Sequence, residues 1–70
     1  MNPVYIAERD IFDNVTKDAL KNFCISSPTV IYPDHLKKLW PILKFDVRDQ
    51  DCNEFKRLIK EEGIYPIQVH

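Results

Sequence analysis

The side chains in this chain with the richest chemistry are two cysteines and two histidines, Cys24, His35, Cys52 and His70. Four such groups equal the ligand number of a tetrahedral zinc site, and a thiolate beside an imidazole is the working pair of cysteine-based nucleophilic catalysis. Spacing argues against both. Structural zinc sites draw ligand pairs from one tight turn, about two to five residues apart, whereas the gaps here are 11, 17 and 18 residues. Both thiols fall on or beside apolar stripes, where cysteine is a packing group, and the single glycine, Gly63, leaves no glycine-rich turn for a phosphate or an oxyanion. Asp49, Asp51 and Asn53 match the opening of a calcium loop, with alternating oxygens aimed at one cation. Further along, Glu54 stands where that loop needs glycine and Lys60 where it needs a bidentate glutamate. Acids at a helix N-terminus, complementing its dipole, explain the same residues. The expectation is a protein with no catalytic residue, no metal and no cofactor, and hence not an enzyme.

Surface chemistry is the remaining resource. Ten Lys and Arg nearly balance eleven Asp and Glu, so no global field drives the chain onto nucleic acid or an anionic membrane. The distribution is uneven: residues 35–60 carry seven basic side chains against four acidic, and residues 1–34 carry three against five. Asn53, Lys56, Arg57 and Lys60 share one polar face at helical spacing, the pattern of a helix that meets phosphates, and Lys37 and Lys38 add to it. An ordinary solvated face explains the same spacing, with Glu54, Glu61 and Glu62 diluting the charge. The aromatic resource is Trp40 beside Pro41. A proline break there leaves Trp40, Tyr32 and Phe45 partly exposed, and Trp and Tyr are enriched at binding hot spots. Trp40 filling the core is the competing explanation.

The elements that must position these residues follow from pattern. Seventy residues form one domain, 1–70, and 44% hydrophobic content is that of a folded chain. Val4, Tyr5 and Ile6 read as a strand or a lead-in packed on the core. Ile11, Val15, Ala19 and Phe23, joined by Phe12 and Leu20, predict a first helix over 11–23, with a fresh start near Asn14 because Asp13 and Asn14 are good N-caps. Thr29–Tyr32, bounded by prolines, is extended, as an edge strand or an ordered connection. Leu36, Leu39, Trp40 and Leu43 predict a second helix opened by Pro33 and Asp34 and kinked near Trp40 by Pro41. Cys52, Phe55, Leu58 and Ile59 predict a third, with Asp51 and Glu54 at capping-box spacing and Gly63 as a left-handed cap that folds Ile64 back. Tyr65, Ile67 and Val69 alternate as a short edge strand. The fold expected is mainly α: a small three-helix domain with short extended or edge-strand segments near both ends.

The run Phe55-Lys56-Arg57-Leu58-Ile59-Lys60-Glu61-Glu62-Gly63-Ile64-Tyr65-Pro66 resembles the recognition helix and following wing strand of phage excisionases and related winged-helix regulators. The turn before it is longer and more acidic than in that pattern, and the stretch to His70 is short for a second wing strand. The resemblance implies a DNA-binding regulator of helix-turn-helix or winged-helix type, with Lys56, Arg57 and Lys60 as its contacts. The leading expectation is instead a small protein-interaction domain, an adaptor or inhibitor, that docks through a helix and the aromatics Tyr32, Trp40 and Phe45. Its partner is another protein, with nucleic acid the second choice, no membrane, and a homodimer formed by the edges Val4–Ile6 and Tyr65–Val69 as a third option. Two cysteines and no leader-like apolar stretch, Glu8, Arg9 and Asp10 interrupting the N-terminus, place it inside the cell, in the cytoplasm or nucleus.

Overall fold

A computed structural model describes residues 2–11, 13–32 and 41–67 of the chain. Alternation dominates its centre. Ile42-Leu43-Lys44-Phe45-Asp46-Val47 sends Leu43, Phe45 and Val47 to one face and Ile42, Lys44 and Asp46 to the other, as a period of two requires. These residues form strand β3 (Ile42–Val47), flanked on one side by β1 (Asn2–Ala7) and on the other by β2 (Thr29–Ile31), both antiparallel to it. Val4 lies opposite Phe45 and Ile6 opposite Leu43, so β1 adds its own apolar residues to the same face.

Two α-helices pack on that face. Helix α1 (Asn14–Lys21) starts where the Asp13 carboxylate accepts the Thr16 N–H at 2.7 Å, an N-cap that satisfies one orphan donor of the first turn. The helix is shorter than the 11–23 expected, and of the expected apolar stripe Leu20 is buried, Ile11 and Phe23 pack on the core from beyond its ends, and Val15 stands in solvent. Helix α2 (Cys52–Glu61) buries Phe55 and Ile59 and ends as expected: Gly63 has φ +73°, and the Ile64 N–H returns to the Ile59 carbonyl at 2.8 Å, which tucks Ile64 into the core. Phe45, Phe55 and Phe23 form the aromatic centre, with ring centroids 5.6 Å apart for Phe45–Phe55 and 6.4 Å for Phe23–Phe55.

The three-helix expectation is therefore wrong. Among the described residues there are two α-helices and a three-stranded antiparallel sheet of order β1-β3-β2, an arrangement of mixed α and β structure. Leu43, expected as the last buried position of a kinked second helix, is a strand residue, and Pro41 stands just before β3, a place where a missing N–H costs no ladder bond. Residues 33–40, which hold the rest of that expected helix, lie outside the described residues.

The topology is a split β-α-β unit: β1 and β2 are parallel, joined through α1, with β3 inserted between them. After α2 the chain returns to the free side of β1, where Ile67 bridges Tyr5 in antiparallel fashion and donates its N–H to the Tyr5 carbonyl at 2.7 Å. The order becomes Ile67-β1-β3-β2, the ferredoxin-like sequence βαββαβ with a last strand represented by one bridge. Of the two segments expected to join a pair of molecules, Tyr5 and Ile67 are bridged inside one chain, and residues 68 and 69 lie outside the described residues.

Candidate functional site

The sheet has one edge that no described strand covers, and it is built in two pieces. Thr29, Val30 and Ile31 pair with Lys44, Leu43 and Ile42. Further along β3, Cys24 bridges Val47, the Ile25 N–H donates to the Asp46 carbonyl at 2.9 Å and the Arg48 N–H to the Phe23 carbonyl at 3.0 Å. Continuing the register of β2 would place Ser26, not Cys24, opposite Val47, so two residues are looped out around Ser26-Ser27-Pro28.

Arg48 fixes the inner end of this edge. Its Nε donates to Asp51 Oδ2 at 2.9 Å, its Nη1 to the Cys24 carbonyl at 3.3 Å and its Nη2 to the Asn22 carbonyl, so one guanidinium ties the end of α1 to the start of α2. Asp51 is consequently not the side-chain cap expected of it: no side-chain bond caps α2, because the carboxylate is committed to Arg48. The neighbouring Asp49 carboxylate accepts from the Asn2 amide. Both acids of the calcium-like run therefore face protein donors.

Along the edge three large apolar side chains stand in solvent: Ile25 at 59% exposure, Val30 at 46% and Tyr32 at 70%. Of the aromatic trio expected to dock a partner, Tyr32 is the member the structure places on the surface. Phe45 is 0% exposed, on the helix-facing side of β3 against Phe55, because its place in the two-residue alternation with Leu43 and Val47 decides its direction. Trp40 lies outside the described residues. Ile25 and Val30 were not expected as surface groups, although their β-favouring context between Cys24 and Pro33 was the available signal.

The basic face is partly present. Asn53, Lys56, Arg57 and Lys60 are all exposed on α2, while Lys37 and Lys38 lie outside the described residues. Arg57 Nη2 is 3.2 Å from Glu54 Oε1, one turn away, which offsets its charge locally. What precedes α2 is strand β3 and a 3-10 turn at Asp49–Asp51, not the helix that a helix-turn-helix frame places there.

Of the four candidate zinc ligands, His35 and His70 lie outside the described residues. Cys24 is buried and donates its thiol to the Leu20 carbonyl at 3.3 Å, and Cys52 points its own at the Arg48 carbonyl at 3.6 Å. Burial pushes the Cys24 thiol up, against a smaller opposing pull from Arg48. Among the described residues no three His, Cys, Asp or Glu groups are arranged to hold a metal, and no helix is long and apolar enough to cross a membrane.

No protein-family model, curated protein or solved structure matches this chain. The topology, shared by proteins of many unrelated functions, carries no functional assignment by itself.

Proposed function

We propose that this is a protein-interaction domain that receives an extended segment of a partner protein along the outer edge of its sheet. One observation carries the reading: Ile25, Val30 and Tyr32 are each exposed along the sheet edge that no described strand covers. Edge strands present unpaired backbone donors and acceptors, and adding a strand there satisfies them while alternate side chains supply specificity. The docking element is then β2 and the Ile25 segment, with Tyr32 as the retained aromatic anchor. The two free cysteines suit a protein that works inside the cell, in the cytoplasm or nucleus. DNA binding through Asn53, Lys56, Arg57 and Lys60 has weaker support, because α2 lacks the preceding helix and Arg57 already faces Glu54.

The test is selection of linear peptides from a displayed library on the intact protein, followed by amide-shift mapping of the best binder. The expected binders alternate apolar and polar residues, perturb Ile25 and Thr29–Tyr32, and lose affinity for the Val30→Lys protein while its unfolding midpoint is unchanged. Perturbations confined to α2, or tight binding of a DNA duplex that weakens steeply with salt, would refute the reading.

A further inference from the structure

On the opposite side of the molecule from β2, where the chain returns past β1, lies a groove of about 490 Å³. Its apolar wall is made by Val4 of β1, Ile59 of α2, and Ile64 and Ile67 of the returning segment. Lys56 and Lys60, one turn apart on α2, stand at the same groove, and no carboxylate is among its described lining residues. Neither lysine has an ion-pair partner among the described residues. A volume of this order is typical of small-molecule pockets, which combine apolar walls with a few placed polar groups.

From this pairing of an aliphatic trough with two cations that no described residue pairs, we propose that the groove binds a free single-chain aliphatic carboxylate of medium length. The apolar chain lies against Val4, Ile59, Ile64 and Ile67, and the carboxylate meets the two ammonium groups. A peptide is the less suitable occupant. The β1 edge whose backbone would hold one is already taken where the Ile67 N–H donates to the Tyr5 carbonyl at 2.7 Å. The site is separate from the β2 edge and does not depend on what docks there.

The experiment is a titration of the full chain with decanoate, below the concentration at which it forms micelles, read by amide shifts and by the ring signals of Tyr5 and Tyr65, both of which line the groove. Saturable shifts at Tyr5, Ile59, Ile64 and Tyr65 are expected. Two exposed ion pairs together contribute roughly a tenfold change in affinity, so 1-decanol, or decanoate with the Lys56→Gln/Lys60→Gln protein, binds about tenfold more weakly. Both lysines are exposed, and an unchanged unfolding midpoint of the double variant shows that its loss of affinity is not loss of fold. The proposal is overturned by equal binding of the acid and the alcohol, by shifts that map to Ile25, Val30 and Tyr32, by an acidic peptide that displaces decanoate and binds more tightly, or by no saturation.

Discussion

Replacing Arg48 by alanine removes three contacts at once and frees the segment that carries Ile25. The side chain is 44% exposed and its partner Asp51 22%, so the ion pair is screened and is worth about 0.5 kcal/mol. Each bond from the guanidinium to a backbone carbonyl, at Cys24 and at Asn22, adds about 0.5–1 kcal/mol, because water replaces a half-exposed partner in part. The sum is about 2 kcal/mol, which for a chain of this size lowers the melting temperature by about 10 °C. Urea unfolding measures the loss, and amide exchange locates it. The N–H groups of Ile25 and Arg48, bonded to Asp46 and Phe23, should exchange faster by more than the global loss accounts for, while those in the middle of β3 follow the global change alone. Lysine separates the two contributions, since it keeps the charge but not the planar fork, and it should recover less than half of the stability. An alanine variant within about 0.5 kcal/mol of the parent, or a lysine variant that recovers everything, would refute the role given to Arg48.

Phe45→Ala should abolish the fold, because removing a buried phenylalanine costs about 3–5 kcal/mol and a core of this size supplies about as much in total; retained far-ultraviolet dichroism would return Phe45 to the surface role. Gly63→Ala places a Cβ in the left-handed region with no atom within 4 Å to clash, so its cost is conformational, about 1 kcal/mol by urea midpoint, with Gly63→Asn costing less. The raised Cys24 thiol makes stability pH-dependent on the alkaline side. The unfolded thiol ionises first, so the stabilisation present at neutral pH is lost as pH rises from about 8.5 toward the raised folded value. Cys24→Ala should flatten that slope in urea titrations at several pH values, and a slope identical to the parent's would show that the thiol is not its source.

Where sequence and structure agree, several local signals point the same way. Phe55 and Ile59 at helical spacing, Gly63 after them and Ile64 beyond specify α2 and its termination without any distant partner. Asp13 likewise marks the start of α1. Leu43 is the opposite case, because it belongs to two periodicities: its spacing from Leu36, Leu39 and Trp40 is helical, and its spacing to Phe45 and Val47 is that of a strand. Pro41 is a kink under the first pattern and an ordinary boundary under the second, and cross-strand pairing of Leu43 with Ile6 and Val30 decides between them. Those partners come from 13 and 37 residues away in the chain, so no local window contains the deciding contact. The same holds for the candidate site: Thr29–Tyr32 is legible as an edge, but its junction with Ile25 depends on Cys24 meeting Val47 and on Arg48 reaching back to Asn22.

The two ends of the sheet are treated differently, and the difference bears on use. At the β1 end the chain covers its own edge, with Ile67 bonded to Tyr5. At the β2 end it keeps the edge short, three residues of β2 between Pro28 and Pro33, and interrupts it by the loop at Ser26-Ser27. Short length, proline and bulges are the usual protections against indiscriminate strand pairing, and charged side chains are the usual fourth. Among the described residues of this edge the fourth is missing: the positions that protection would make lysine or glutamate are Ile25, Val30 and Tyr32. A described edge strand of three residues that is apolar in content suits a partner strand of limited length. Adding the missing charge therefore discriminates. If the apolar residues serve docking, Val30→Lys lowers partner affinity and leaves folding stability near the parent's, whereas a purely structural edge would lose stability and change no association.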